Sequence, residues 1–317
     1  MSAVRQLWLV FLAPLAVHAA TGHLALEGQI DDVSIPAHVN LFGTDSPFEA
    51  SATSNSRGQF HFRNLQPGTY IVSAFIRHHG EARRTVVVTS SFADANGIVR
   101  ITIPLPPETS SVDRARRRST VSLGELSIPD SARQLLLEAQ KDLAKRDTDH
   151  AIVHLKKAVE LAPAFSEALN SLGVIAYQTR DYAQAEQYFR KAVQAKPGSW
   201  TPMLNLGGVL LNLGRPQDAL EYNLYAVQSH PNDALANSQL GMNYYQLEQF
   251  DQAEPYLAKA ERLDPSHFSH PQLILAQIYA RRGDKVATLR ELNDFIKRFP
   301  DDPTALKLRD AIAAWPH

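Results

Sequence analysis

The residues best suited to bind a metal or transfer a proton at neutral pH are the twelve histidines, which are scattered along the chain. The two closest pairs in sequence are His78 with His79 and His267 with His270. Adjacent residues of a strand point to opposite faces, and the second pair lies in a predicted exposed loop. Neither pair therefore indicates a metal site.

Motifs of the common hydrolases and nucleotide-binding enzymes are missing from the sequence. It contains no G-x-S-x-G nucleophile turn, no H-E-x-x-H zinc motif and no glycine-rich loop of the kind that cradles phosphates. The chain also lacks cysteine, which excludes disulfides, thiolate metal ligands and cysteine nucleophiles. We therefore predict a protein that is not an enzyme and that uses no cofactor and no metal.

Hydrogen bonding to a peptide is the chemistry that the sequence favours. Asparagine, glutamine and tyrosine recur in successive stretches of about 34 residues in the second half of the chain. Amide side chains can pair with the backbone of an extended peptide, and tyrosine rings offer flat apolar area with little rotamer entropy to lose. The candidate peptide-binding residues are Asn170, Tyr177, Gln178, Asn205, Asn212, Gln239, Tyr245, Gln246, Gln277 and Arg281.

A repeated pair of predicted helices positions these residues. Successive units close at Pro163, Pro197, Pro231, Pro265 and Pro300. Where two antiparallel helices approach closely, small residues face each other and large residues fill the gaps beside them. In the unit 166–197 these positions are held by Leu169, Leu172, Gly173, Tyr177, Ala185, Phe189 and Ala192.

This pattern resembles a tetratricopeptide repeat array. The resemblance implies five units over residues 130–300, followed by a capping helix at 301–317. It also implies that the first helix of each unit lines a concave groove that holds a protein or peptide. One subclass of the family grips a terminal carboxylate with lysine and arginine side chains, and the matching positions lack lysine. They hold Leu136, Asn170, Leu204, Ser238 and Leu273.

Residues 23–105 show strand-like alternation instead of helical periodicity. Seven short apolar runs, separated by turn residues, predict a seven-stranded sandwich. Alternation places Phe60 and Phe62 on one inward face and Tyr70 and Val72 on another. The predicted fold class is multidomain, with an N-terminal all-β sandwich and a C-terminal all-α solenoid.

One stretch of the sandwich carries a second resemblance. Residues Gly58–Tyr70 fit the pattern G-x-F-x-F-x-x-L-x-P-G-x-Y, which is similar to the signature of the carboxypeptidase regulatory-like domain. That family is a transthyretin-like β-sandwich often attached to exported bacterial proteins. The resemblance implies an accessory domain without zinc or catalytic residues.

The amino-terminal residues have the layout of a secretory signal peptide. Arg5 precedes an apolar run at 7–17, and Ala19 and Ala20 follow it. The run is short for a membrane span, which needs about 20 residues. We expect a cleaved signal peptide at 1–19 and a periplasmic or secreted protein of the bacterial cell envelope. A retained anchor or a buried amino-terminal helix is the alternative.

Residues 106–129 are rich in proline, serine and charge, and they predict an exposed linker. We expect few contacts between the two halves and a variable angle between them. The linker carries Arg114, Arg116, Arg117 and Arg118. A solvated linker is the favoured interpretation of this run, over contact with an anionic polymer or nucleic acid. The net charge of −1 does not favour nucleic acid as a partner either.

Two functions fit these observations. The first is an exported scaffold that binds a protein or peptide in the groove and uses the sandwich as an accessory docking domain. The second is a carbohydrate-binding or adhesion protein that binds envelope polysaccharide through the sandwich. The second needs an exposed aromatic platform, and the tryptophans outside the signal segment, Trp200 and Trp315, lie in the helical half. We therefore favour the scaffold.

Overall fold

A computed structural model describes residues 24–33, 35–77, 79–105, 127–300, 302–304, 307–308 and 311. The predicted signal peptide at 1–19, the arginine run of the linker and His78 lie outside the described residues. Within the described part, no helix is both long and apolar enough to cross a membrane.

The first half of the described chain is a seven-stranded sandwich, as predicted. Its strands are β1 (Leu24–Ile30), β2 (His38–Gly43), β3 (Glu49–Thr53), β4 (Gln59–Leu65), β5 (Gly68–Ile76), β6 (Gly80–Val88) and β7 (Ile98–Ile103). They form a three-stranded sheet in the order β4-β1-β7 and a four-stranded sheet in the order β3-β2-β5-β6. Strand β1 pairs antiparallel with β4 and parallel with β7.

Alternating residues fill the core between the two sheets. Phe60 and Phe62 of β4 are 4% and 7% exposed, and Tyr70 and Val72 of β5 are 3% and 0% exposed, so all four face inward as predicted. The Tyr70 hydroxyl donates a hydrogen bond of 2.8 Å to the carbonyl oxygen of Gln66, which satisfies its polar end and fixes the turn before β5.

The described part of the second half contains an array of ten helices, which confirms the predicted all-α solenoid. The helices are α1 (Asp130–Ala144), α2 (Thr148–Leu161), α3 (Ser166–Gln178), α4 (Tyr182–Ala195), α5 (Trp200–Asn212), α6 (Pro216–Ser229), α7 (Ala234–Gln246), α8 (Phe250–Leu263), α9 (Pro271–Arg281) and α10 (Lys285–Arg298). Beyond them, Leu308 is buried against α9 and α10. Most of the predicted capping helix at 301–317 lies outside the described residues.

Close approach within each helix pair depends on small residues. A Cβ atom built on Gly173 of α3 would lie 2.5 Å from the Phe189 ring of α4. The ring is 1% exposed, so it has little room to move aside. The glycine therefore lets the two helices pack at a distance that a larger side chain would not allow.

The two halves contact each other, which contradicts the expectation of few contacts and a variable angle. At one end of the array, Arg146 Nη2 donates to the Tyr70 hydroxyl at 3.1 Å. Near the other end, the backbone N–H of Thr85 donates to Asp264 Oδ2 at 2.8 Å. The expectation was wrong because it considered only the linker. These contacts involve β5 and the edge strand β6 of the four-stranded sheet.

We predict that Gly173→Ala lowers the free energy of unfolding by about 1–3 kcal/mol, because its methyl group overpacks the buried Phe189 ring. Urea unfolding followed by far-ultraviolet circular dichroism measures the change. Gly68→Ala is the matched control, because its Cβ would lie 3.7 Å from Tyr70, which is an ordinary contact. Equal stability of the two variants would show that the helix pair does not depend on glycine.

Candidate functional site

A cavity of about 660 Å³ lies between the outer face of the four-stranded sheet and the inner helices of the array. We call it the groove cavity. Helices α1, α3, α5 and α7 line it on the array side, together with Phe268 and Ser269 from the loop before α9. Strands β2, β3, β5 and β6 and the loop between β2 and β3 line it on the other side. The site therefore combines both halves of the chain.

The structure brings most of the predicted groove residues together. Seven of the ten line the groove cavity; they are Asn170, Tyr177, Gln178, Asn205, Asn212, Gln239 and Gln246. The other three lie outside the lining. Tyr245 donates a hydrogen bond to Gln277 Oε1, and the Arg281 guanidinium lies over the Phe250 ring at 5.0 Å from its centroid.

Polar side chains at corresponding positions of successive repeats pair with one another. Asn205 Nδ2 donates to Asn170 Oδ1 at 2.9 Å. Asn212 Nδ2 donates to the Tyr177 hydroxyl at 3.0 Å. Each pair uses part of the donors and acceptors that its groups offer, because an amide can make several hydrogen bonds. These pairs hold the side chains of the lining in place, and the remaining donors and acceptors can still bind a polar ligand.

Gln239 presents a polar atom that makes no hydrogen bond. Its Oε1 is buried and has no partner among the described residues. Its amide lies against α5, because a Cβ built on Gly208 would be 2.6 Å from Gln239 Nε2. A buried amide oxygen without a donor is costly, and a ligand N–H is one group that could satisfy it.

Sequence reasoning missed the part of the site that the sandwich contributes. The side chains involved, which we call the sheet wall, are those of Phe42, Thr44, Phe48, Glu49, Ile71 and Arg83. Phe42 and Ile71 are partners across the β2–β5 pair and point away from the core. Large apolar residues at outward positions of two adjacent strands were the signal that could have identified this face.

Arg83 links the sheet wall to the array. It donates to both carboxylate oxygens of Glu81, at 2.8 and 3.1 Å, and lies 3.8 Å from Asp233. Its guanidinium also lies 5.1 Å from the centroid of the Trp200 ring, at the start of α5. The Trp200 ring is itself stacked on His230 at 3.9 Å. This combination of charge and stacking suits arginine better than lysine.

Glu49 lines the groove cavity and is an ionisable group whose pKa is shifted by burial. Burial raises its pKa from 4.5 to about 7. Its Oε1 accepts a hydrogen bond of 3.3 Å from Gln140 Nε2 on α1. The folded protein therefore favours the neutral acid, because the charged form would lose hydration on burial.

His267, next to the groove cavity in the chain, is a poor general base for Ser269. Ser269 Oγ lies 2.7 Å from His267 Nδ1, which is the spacing of a serine–histidine pair. However, burial lowers the pKa of His267 to about 3, so the imidazole would accept a proton poorly. His267 is 3% exposed, which corrects the expectation of an exposed loop histidine. Among the described residues, no group of three or more potential ligands could hold a metal ion.

A second recess, of about 790 Å³, lies on the outer face of the three-stranded sheet. Polar and charged side chains dominate it, including Glu27, Gln59, His61, Arg63 and Arg100. The aromatic residue that lines it is Phe60, which is 4% exposed and belongs to the core. The described recess therefore lacks the flat aromatic platform expected of a sugar-binding surface.

Comparisons with known proteins identify the helical half. Family models described as tetratricopeptide repeat match residues 136–199, 176–238 and 234–267. Together these matches run from α1 to the end of α8. This part of the chain therefore consists of tetratricopeptide repeats.

This chain matches only part of the length of each curated relative. The human tetratricopeptide repeat protein 21A is 25% identical over 176 residues, which are 54% of this chain and 13% of that protein. The type IV pilus assembly protein PilF of Pseudomonas aeruginosa is 28% identical over 124 residues, which are 38% of this chain and 49% of that protein. A solved structure of Pseudomonas aeruginosa PilF superposes with a TM-score of 0.50 at 18% identity, covering 59% of this chain and 84% of that one. This likeness shows the fold alone.

We predict that Glu49→Gln raises the free energy of unfolding by about 1–3 kcal/mol at pH near 8 and changes it little near pH 4. The folded state keeps a proton on Glu49 up to about pH 7, whereas the unfolded state releases it above 4.5. Stability from this group is therefore full below 4.5 and declines as the pH rises towards 7. Glutamine avoids the loss because it stays neutral.

Urea unfolding of the parent and the Glu49→Gln variant at both pH values measures this difference. Glu27→Gln is the control, because Glu27 is half-exposed on the other sheet, where it pairs with Arg100 at 3.3 Å. A Glu49→Gln variant that is less stable than the parent near pH 8 would mean that the carboxylate is stabilised by its surroundings.

Proposed function

We propose that this chain is a non-enzymatic, exported scaffold that binds a protein or peptide in the concave groove of its tetratricopeptide array. The sandwich serves as an accessory docking domain. The observation that carries the proposal is the amide-lined groove cavity, which gathers seven recurring groove residues around one space. Its size is within the range of about 300–1,000 Å³ that is usual for ligand sites.

The chemistry of the lining supports a peptide partner. Asparagine and glutamine side chains offer both donors and acceptors, which are the groups that a peptide backbone requires. Apolar residues of both halves also line the groove cavity, including Leu211, Met242 and Ile71. A site of this composition can bind backbone and apolar side chains at the same time.

Export and the role of the sandwich are further parts of the proposal. The layout of residues 1–19 supports a signal peptide, and the pattern at Gly58–Tyr70 supports a carboxypeptidase regulatory-like domain. Both are typical of proteins that act in the bacterial cell envelope. We therefore propose a periplasmic or secreted location and a partner in the same compartment.

We do not adopt the alternative in which the sandwich binds polysaccharide. Its outer recess is polar enough to contact sugar hydroxyl groups. However, the recess lacks an exposed aromatic ring among its described lining residues. Phe42, an outward-facing aromatic residue of the four-stranded sheet, lines the groove cavity.

Removal of one amide pair from the groove tests the proposal. Asn170→Ala with Asn205→Ala removes both members of a hydrogen-bonded pair, so no partner is left unsatisfied and the loss of stability stays within about 1 kcal/mol. The full chain and this double variant are each immobilised and exposed to bacterial envelope extract. We expect the parent to retain specific proteins or peptides and the variant to retain at least about tenfold less.

The matched control is Gln184→Ala with Gln187→Ala, which removes two exposed amides from α4, the outer helix of the same repeat. This control should retain the same partners as the parent. If all three chains retain the same set, the groove is not the binding site.

A further inference from the structure

We propose that the sheet wall turns the groove into a two-sided site for a short, extended, uncharged peptide segment and keeps helical and folded partners out. This inference rests on the proposed function, because it assumes that the groove binds a peptide. It adds the conformation, length and charge of the ligand, and it assigns the sandwich a direct part in recognition.

The volume of the groove cavity favours an extended ligand over a helical one. An α-helix with its side chains is about 10–12 Å across and 5.4 Å long per turn, so each turn occupies roughly 420–610 Å³. The groove cavity, at about 660 Å³, therefore holds little more than one turn. A helical ligand in a groove is recognised through anchors spread over at least two turns. A helix of two turns would therefore extend beyond the groove cavity.

An extended segment fits the same space. In packed sheets one residue occupies about 160 Å³, given its rise, the strand spacing and the sheet spacing. The groove cavity therefore holds about four extended residues. Phe42 and Ile71 can contact the side chains on one face of such a segment, while Leu211 and Met242 contact those on the other face.

The charge of the lining favours a neutral ligand. Among its described residues, the carboxylate and cationic side chains are Glu49, Arg83 and Glu167. Arg83 is already paired with Glu81, and the exposed Glu167 lies 3.5 Å from Lys196. Burial favours the neutral form of Glu49. Below pH 7, where Glu49 is mostly protonated, a charged ligand group would lose its hydration here without gaining an unpaired opposite charge.

Polar groups of the groove cavity match a peptide backbone. Gln239 Oε1 is buried without a partner and can accept a hydrogen bond from a ligand N–H. Gln178 already binds a backbone group, because its Nε2 donates to the carbonyl oxygen of Gly43 at 2.7 Å. The array thus recognises the backbone of its own sandwich with the same kind of side chain that we assign to ligand binding.

The sheet wall is held in place by contacts outside the groove cavity. Arg84 Nη1 donates to the carbonyl oxygen of Leu263 at 3.0 Å. At the opposite end, Arg146 donates to the Tyr70 hydroxyl at 3.1 Å and lies over the Phe48 ring at 4.5 Å. Neither arginine lines the groove cavity. Substituting both should loosen the wall without changing the lining.

The inference is tested with the full-length parent, an opened variant with Arg84→Ala and Arg146→Ala, and a wall variant with Phe42→Ala and Ile71→Ala. The probes are an end-capped tetrapeptide library of Ala, Leu, Phe, Ser and Asn, and a stapled helix of about three turns with the same composition. Fluorescence anisotropy measures binding, and small-angle scattering measures the radius of gyration. A variant with Asn170→Ala and Asn205→Ala is measured alongside.

We expect the parent to bind tetrapeptides from the library and not the helix. The opened variant should have a larger radius of gyration, bind tetrapeptides at least about tenfold more weakly and bind the helix. The wall variant should also lose about tenfold in tetrapeptide affinity, and its radius should not change. Tetrapeptides in which aspartate or lysine replaces one residue should bind the parent more weakly than the neutral ones.

Two results would overturn the inference. If tetrapeptides bind the wall variant as tightly as the parent but bind the Asn170→Ala, Asn205→Ala variant poorly, the groove binds peptide without the sheet wall, and the proposed function stands alone. If the parent binds the helix as well as the opened variant does, or binds no tetrapeptide at millimolar concentration, the two-sided site is wrong. The capture experiment then still decides the proposed function.

Discussion

The close approach of two helices at a glycine is the constraint on which the array depends. Gly173, Gly207 and Gly241 stand at equivalent positions of α3, α5 and α7, and each faces a side chain of the following helix. Because those helices cannot separate or slide without opening a void, successive inner helices stack in a constant register. That register is why Asn205 meets Asn170, and Asn212 meets Tyr177, at hydrogen-bonding distance. The chemistry of the groove thus follows from packing on the other side of the same helices.

In the third repeat, the position that faces the glycine holds a polar residue. Asn223 faces Gly207 where the neighbouring repeats have Phe189 and Leu257. It is fully buried, and its Nδ2 donates to Asn243 Oδ1 at 2.8 Å. Asn243 Nδ2 in turn donates to the carbonyl oxygen of Pro216 at 2.7 Å. These directional bonds fix α6 against α7, so the repeat that carries Asn205 is positioned by hydrogen bonds as well as by shape.

Periodicity in the sequence predicted the fold and the seven of the ten proposed groove residues that line the groove cavity. Helical spacing located Asn170, Asn205 and Gln239 on inner helices because packing dictates the repeat. Strand alternation likewise located Phe60 and Tyr70 in the sandwich core. The sheet wall could not be predicted in the same way, because periodicity assigns Phe42 to an outward face without saying what covers it. The composition of the linker led to the wrong expectation of few contacts between the two halves. It describes only the 24 residues at 106–129 and not the surfaces of the halves that the linker joins.

The sandwich docks on the array through directed hydrogen bonds and through an arginine whose charge is neutralised by a neighbouring carboxylate. Burial alone would raise the pKa of Glu81, but the charge of Arg83 and hydrogen bonds from Arg83 and Ser73 outweigh it, and the pKa is lowered. The ion pair is therefore complete within the sandwich, and Asp233 adds only a contact at 3.8 Å. Each remaining hydrogen bond across the interface contributes about 0.5–1.5 kcal/mol. Several such hydrogen bonds can hold the sheet wall against the array. A ligand that contacts both halves adds its own binding free energy to the free energy of docking, because docking and binding are then linked.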